Sequence, residues 1–196
     1  NGLNPARGRR ARKKPTPACR RRCIIDRLLD TPDRAVVDGQ VQFGRFARPF
    51  RELNLLDAQC GIPRFCGLRR LRLKEWVHFA LVHPDWYLSM AIVDAGFLVT
   101  SWLHLFDRRN RKAFEHVRKL PPCMFRAPAN VWDHSAEIKT LGYRVHVHNH
   151  LERLVHRLQI EVREERSLPA VSGTVPLHAD PARTQPLVAL LPLGPN

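Results

Sequence analysis

The residues whose type and spacing are best suited to chemistry are three histidines at alternate positions, His146, His148 and His150. Alternate residues of a β-strand point to one face of the sheet, so three imidazoles on one strand would lie about 6–7 Å apart. Two of them, with a carboxylate from a neighbouring strand, could bind a metal ion, whose ligand atoms lie within about 2.1 Å of it. The alternative is that all three belong to a polar strand face in contact with water.

The residues around the histidines favour the water-exposed face. Apolar residues alternate with Arg144 and the histidines, at Tyr143, Val145 and Val147. Antiparallel strands with one face exposed to solvent commonly show this pattern. A second alternating run follows a short link over residues 149–153. We therefore predict a hairpin with one polar face and no bound metal. The residues predicted to share that face are Arg144, His146, His148, Arg157, Gln159 and Glu161.

Two carboxylates and an imidazole form a second group, Glu75, His78 and Asp94. The alternation of apolar residues puts Glu75 and Asp94 on the apolar sides of their strands. A carboxylate on an apolar face either finds a partner or has a raised pKa, and a raised pKa suits a general acid or base. Each carboxylate also lies near a strand end, where a turn amide or water could satisfy it in a structural role. We take the three as the candidate catalytic residues.

Four aromatic residues, Trp76, Trp86, Tyr87 and Trp102, are the candidate ligand-binding residues. Such side chains either line an apolar ligand cavity or fill the core. The sequence contains no glycine-rich phosphate loop, no Gly-x-Ser-x-Gly turn and no His-Glu-x-x-His zinc motif. We therefore expect no cofactor, and the motifs leave open whether the protein is an enzyme.

The elements that must position these residues are β-strands, because apolar and polar residues alternate with period two over most of the chain. Turn residues separate the successive runs, and consecutive strands joined by short turns form an antiparallel meander. An Asp-Gly pair at residues 38–39 predicts a tight turn before an earlier strand. The sequence thus predicts an all-β protein. The main strands are predicted at residues 71–82, 86–93, 97–106, 112–119, 141–148, 154–163, 171–177 and 187–193.

The net charge of +15 is concentrated at the start of the chain, where the first 23 residues contain nine Lys and Arg and no acidic residue. We predict a disordered basic arm over residues 1–33 and a β-rich domain over residues 34–196. Such an arm would bind a polyanion with strong salt dependence. No aromatic residue precedes Phe43 to stack on bases. Nucleic acid is therefore expected only as a non-specific partner, through residues 7–22.

The cysteine spacing and the length of the apolar runs indicate in which cellular compartment we expect the protein. The cysteines are odd in number and scattered without the spacing of a zinc site, so we expect free thiols in a reducing cytoplasm. The uncharged stretch over residues 95–106 is shorter than the roughly 20 residues of a membrane span. The chain ends shortly after the apolar run 187–191, so we expect further sequence at the C-terminus. The cysteines are Cys19, Cys23, Cys60, Cys66 and Cys123.

Several segments, in their order along the chain, resemble the bacterial "domain of unknown function 2804" family. In the first, a glycine, an aromatic residue and a proline precede Asn54. In the second, Lys74-Glu75-Trp76 precedes an aromatic-rich strand. The resemblance covers roughly residues 44–196. The segments that carry it are residues 44–54, 74–76, 92–94, 105–107 and 185–194.

The resemblance implies a fold similar to the lipocalin-like barrels of the carotenoid hydratase type, as a closed barrel or a curved sheet. Together with the meander and the four tryptophans, the resemblance leads us to expect that the protein binds a hydrophobic small molecule in a lipocalin-like cavity. The alternatives are a hydratase- or isomerase-like enzyme acting on a lipophilic substrate, and a polyanion-binding module that uses the basic arm. Fold-level analogy by itself does not determine which of these applies.

Overall fold

A computed structural model describes residues 28–59, 68–184 and 188–191. Residues 1–27 of the predicted basic arm, and four of the five cysteines, lie outside the described residues. Among the described helices, none combines the length and the apolar character needed to cross a membrane.

The described residues form mostly β-strands, with a few helices of three to five residues. A five-residue α-helix, α1, spans Leu68–Arg72, and short 3-10 helices span Leu55–Asp57, Pro122–Met124 and Leu151–Arg153. The strands are β1 (Val36–Val37), β2 (Gln40–Val41), β3 (Gly44–Phe46), β4 (Glu75–Val82), β5 (Trp86–Asp94), β6 (Val99–Asp107), β7 (Lys112–Leu120), β8 (Asp133–Thr140), β9 (Tyr143–His150), β10 (Val155–Val162), β11 (Val171–His178) and β12 (Val188–Leu190).

Two four-stranded antiparallel sheets carry most of the structure. The first sheet has the strand order β4-β5-β6-β7 and the second β11-β10-β9-β8, so each is a meander of sequential hairpins. The buried apolar residues of both sheets form one core, which includes Met90 and Leu103 from the first sheet and Val145 and Leu158 from the second. The predicted all-β antiparallel meander is confirmed. Within the described ranges the two sheets are open and do not close into a barrel.

The predicted polar face of the second sheet is confirmed. Arg144 pairs with Glu161, His146 with Gln159, and His148 with Arg157 across β9 and β10. The alternate residues of β9 are buried. This register follows from the period of two, because a slip of one residue would turn every apolar side chain of β9 towards water.

Two elements differ from the sequence prediction. Leu71 lies in α1, not at the start of a strand, and β4 begins only at Glu75. The strand β8 was not predicted, because its inward positions include His134 and the small Ala136, which weaken the apolar alternation. Leu141, at the start of the strand predicted over residues 141–148, lies in the β8–β9 turn and is 93% exposed.

The Asp-Gly turn and the following segment adopt the predicted structure. Asp38 and Gly39 both have positive φ, 51° and 79°, and join β1 to β2 as the hairpin turn requires. Asn54 is buried, and its side chain accepts from the Val36 N–H and donates to the Val36 carbonyl, both at 2.9 Å. This residue of the family-like segment therefore has a structural role.

Polar contacts tie the two sheets together inside the core. The Ser101 and Tyr143 hydroxyls are 2.8 Å apart, and both residues are buried. Burial raises the pKa of Tyr143. A buried hydroxyl without a partner costs about 1–3 kcal/mol, so this pair fixes how the sheets face each other.

Replacing Tyr143 by phenylalanine should lower the free energy of unfolding by about 1–3 kcal/mol, because the buried Ser101 hydroxyl loses its partner. Urea denaturation followed by circular dichroism measures the loss. In the Ser101→Ala/Tyr143→Phe double variant neither hydroxyl remains, so part of the stability should return. A Tyr143→Phe variant as stable as the wild type would contradict this role.

Candidate functional site

An apolar cleft of about 560 Å³ opens between the two sheets at one end of the core. The apolar side chains that line it come from β4, β5 and β6 of the first sheet and from β10 and β11 of the second. Charged groups from the turns of the first sheet stand at its edge. The lining residues are Leu81, Asp85, Trp86, Leu88, Leu105, Asp107, Arg109, Ile160, Val171, Ser172, Gly173 and Val175.

The cleft exists because a glycine takes an inward position in β11. Gly173 pairs with Ile160 and lies on the same face of β11 as Val171 and Val175, which pack against the core. A Cβ atom built on Gly173 has no neighbouring atom within 4 Å, and its backbone is not in the left-handed region. Glycine in the middle of a strand weakens the strand and often marks a place where a ligand approaches the backbone.

Three charged residues at the edge of the cleft form one hydrogen-bonded group. The Arg109 guanidinium donates to both carboxylate oxygens of Asp85, each at 2.7 Å. The Asp107 carboxylate accepts from the backbone and side-chain amides of Asn110, which hold its pKa below the usual range. Two carboxylates and one guanidinium leave these lining groups with a net charge of −1.

The four predicted ligand-binding aromatic residues lie on different faces of the first sheet. Trp86 lines the cleft, and its indole stacks on His83 with the ring centroids 5.0 Å apart. Trp76, Tyr87 and Trp102 occupy the positions that alternate with the core-facing residues, so they lie on the outer face of the first sheet. Trp76 is 66% exposed there, and it also lines the second opening, which lies beside β4.

A second opening of about 440 Å³, here called the histidine pocket, lies beside the edge strand β4. Its polar lining includes His134, Asn149 and His156, which are direct neighbours across β8, β9 and β10. The Asn149 amide nitrogen lies 3.0 Å from Nε2 of His134, and its oxygen lies 2.8 Å from Nδ1 of His156. Apolar residues such as Leu53 and Val131 form the rest of the wall.

The hydrogen-bond chain in the histidine pocket assigns the proton positions. Because the Asn149 amide nitrogen donates to His134 Nε2, the His134 proton is on Nδ1 and points to the Val131 carbonyl at 3.2 Å. Because His156 donates from Nδ1 to the Asn149 oxygen, its Nε2 carries no proton. Burial lowers the pKa of both histidines. His156 therefore offers a neutral imidazole nitrogen that can accept a proton.

Glu75 and Asp94, two of the candidate catalytic residues, are joined by Arg70 of α1. The Arg70 guanidinium donates to Glu75 at 3.3 Å and also to Asp94, whose side chain is 2% exposed. Gly96, at φ 84°, lets α1 approach, since a Cβ there would lie 2.4 Å from the Arg70 carbonyl oxygen. Burial raises the pKa of Glu75 although Arg70 opposes the shift.

The third candidate, His78, lies on the other face of β4 from Glu75, and its Nε2 is 3.0 Å from the Ser89 hydroxyl. Glu75 and His78 nevertheless both line the histidine pocket, because β4 is an edge strand that the opening wraps around. Asp94 does not line it and acts through Arg70. Arg70 was not identified from the sequence, because a strand was predicted from residue 71 where the structure has α1. His134 was not identified because the strand β8 was not predicted.

The fold defines an all-β protein of two facing antiparallel sheets with openings between them. A family model described as "Domain of unknown function (DUF2804)" matches residues 29–193. The match covers most of the chain, so the protein belongs to this family. The resemblance inferred from the sequence is confirmed, and the matched region begins upstream of residue 44. No curated protein and no solved structure matches the chain.

Replacing Glu75 by glutamine should change the pH dependence of stability. A raised pKa means that folding favours the protonated carboxyl, so the stability this group contributes is present below its unfolded pKa and is lost as pH rises through the folded value. The free energy of unfolding of Glu75→Gln relative to the wild type should therefore rise as the pH is raised above the usual pKa of glutamate, about 4.3.

Urea denaturation at several pH values measures this difference, with Glu164→Gln, at an exposed position, as the matched control. A difference between Glu75→Gln and the wild type that falls as pH rises would show that Arg70, and not burial, dominates at Glu75.

Proposed function

We propose that this domain binds an uncharged lipophilic small molecule in the apolar cleft between the two sheets. The observation that carries the proposal is the open space above Gly173, between Val171 and Val175 on the inward face of β11. A filled core would place a side chain at this position, since protein interiors are close-packed. The cleft volume of about 560 Å³ lies within the range of about 300–1,000 Å³ that is usual for small-molecule sites.

The charges at the edge of the cleft support a neutral ligand over a carboxylate. Arg109, the cation in the lining, is already bound by both oxygens of Asp85. Asp107 adds a second negative charge that its amide partners stabilise. An incoming carboxylate would therefore find the Arg109 guanidinium already bound, whereas a hydroxyl or amine could donate a hydrogen bond to the carboxylates at the same edge. Trp86 provides an aromatic wall for a ring or a polyene.

A second candidate function is supported by the histidine pocket, as an enzyme that adds or moves a proton on a lipophilic substrate. Glu75, with a raised pKa, would serve as the acid, and the unprotonated Nε2 of His156 as the base. A raised carboxyl pKa favours the protonated acid and a lowered imidazole pKa favours the neutral base, which are the forms that these two roles require. Asp94 would position Glu75 through Arg70, and His78 would contribute to the wall.

Replacing Gly173 by phenylalanine should abolish binding of the neutral fluorescent probe N-phenyl-1-naphthylamine, because the new ring would occupy the cleft. The fold should persist or become more stable, since glycine has ordinary strand geometry there and aromatic residues favour strands. Fluorescence titration measures the affinity, and thermal unfolding measures the stability.

The matched control is Thr174→Phe, which adds the same ring on the exposed face of the same strand and should leave probe binding unchanged. The fatty-acid probe cis-parinaric acid should bind at least about tenfold more weakly than the neutral probe, a difference of about 1.4 kcal/mol. The proposal fails if the wild type binds no lipophilic probe, or if Gly173→Phe binds it as well as Thr174→Phe does.

A further inference from the structure

Three side chains with metal-binding atoms converge on the outer face of the second sheet, away from the cleft. Asp133 at the start of β8 pairs directly with His150 at the end of β9, and His148 lies diagonal to it. Oδ1 of Asp133 is 2.9 Å from Nδ1 of His150 and 3.5 Å from Nε2 of His148. The three groups can each offer a ligand atom, and these atoms all lie within 4.8 Å of one another.

These separations match those of a metal coordination shell. In a tetrahedral zinc site with bonds of about 2.0–2.1 Å, two ligand atoms are about 3.3 Å apart. The two distances from the Asp133 oxygen, 2.9 and 3.5 Å, lie on either side of this value. The rings of His148 and His150 are close as well, with centroids 4.1 Å apart. The third separation, between the two imidazole nitrogens, is no more than 4.8 Å, so rotation of the side chains would bring all three atoms within bonding distance of one ion.

One ligand atom lacks a hydrogen-bond partner. Nε2 of His148 is buried and has none, since its approach to Asp133 is too long for a hydrogen bond. Buried polar nitrogens are nearly always satisfied, so an unsatisfied one that points at a carboxylate calls for a bridging group. A cation between the two atoms would satisfy both.

The other nitrogen of the His148 ring has the partner that a metal-binding histidine requires. Nδ1 of His148 lies 2.7 Å from the Ser135 hydroxyl, across the β8–β9 pair. With the proton on Nδ1, donated to Ser135, the Nε2 lone pair is free to bind a metal. Such partners of the non-ligating nitrogen orient the ring and are a regular feature of metal sites.

The third histidine of the run is held apart from this group. Nδ1 of His146 lies 3.0 Å from the Gln159 side-chain oxygen, and its ring centroid is 6.3 Å from that of His148. The sequence favoured a polar face without metal, with two histidines and a neighbouring carboxylate as the alternative. Because β8 places Asp133 beside His148 and His150, the structure favours the second of these, a metal site of two histidines and one carboxylate.

We propose that Asp133, His148 and His150 form a binding site for a divalent transition-metal ion, of which Zn²⁺ is the reference case. Two imidazoles and one carboxylate are nitrogen and oxygen donors that suit Zn²⁺, Co²⁺, Ni²⁺ or Cu²⁺ more than Mg²⁺ or Ca²⁺. The ligand side chains are 32–61% exposed, so the ion is reachable from water. Three protein ligands leave the fourth position for a water molecule or a further ligand.

Titration of the full chain with Co²⁺, followed by visible absorption and by calorimetric competition with Zn²⁺, tests the site. We expect one Co²⁺ ion to bind and to show the visible absorption bands of four-coordinate cobalt. The intense near-ultraviolet band of thiolate ligation should be absent, which distinguishes this site from binding by cysteines. His148→Ala and His150→Ala should each abolish this binding, and Asp133→Asn should weaken it strongly. Ser135→Ala should weaken it by about 10–100-fold, the usual cost of losing an outer partner.

The matched control is His146→Ala, which removes an imidazole from the same face and should leave the affinity unchanged. Circular dichroism of each variant establishes that it folds. The proposal is overturned if the wild type binds no ion with nitrogen and oxygen ligands. It is also overturned if folded His148→Ala or folded His150→Ala binds Co²⁺ with wild-type affinity. Either result leaves the lipophile cleft unaffected, because the cleft lies on the inward face of the sheet.

Discussion

The register of β9 between β8 and β10 is the constraint on which both faces of the second sheet depend. Side chains alternate with period two, so one pairing places Val145 and Val147 in the core and His148 on the outside. The same pairing aligns His134, Asn149 and His156 on the inward face. A shift of one residue would expose the apolar set and separate both polar groups. The apolar core therefore determines where the polar chemistry lies.

The interior between the sheets is filled over most of its length and open at its ends. Packing from Met90 to Leu158 and the Ser101–Tyr143 hydrogen bond hold the sheets face to face. At one end, a glycine replaces the expected side chain and leaves apolar space with charged groups at the edge. At the other, half-buried imidazoles and Glu75 line a smaller opening. Binding and acid–base chemistry would thus use different ends of one interior.

Sequence patterns predicted the strands whose apolar residues alternate clearly, such as β5, β6, β9 and β10. They could not predict β8, where a histidine and an alanine take inward positions. They identified Glu75 and Asp94 as unusual carboxylates but not the arginine that joins them, because Arg70 belongs to a helix too short to show periodicity. The importance of Gly173 depends on what faces it across the sheets, which is information that a single strand does not contain.

The central claim is that the space between the sheets is a binding site for a neutral lipophile. A crystal structure of the protein grown with N-phenyl-1-naphthylamine tests it most directly. We expect probe density over the Gly173 backbone, between Val175 and the Trp86 ring, with the two sheets in the arrangement described above. Side chains that fill this space, or a probe bound instead on the outer face at Trp102, would rule out binding between the sheets.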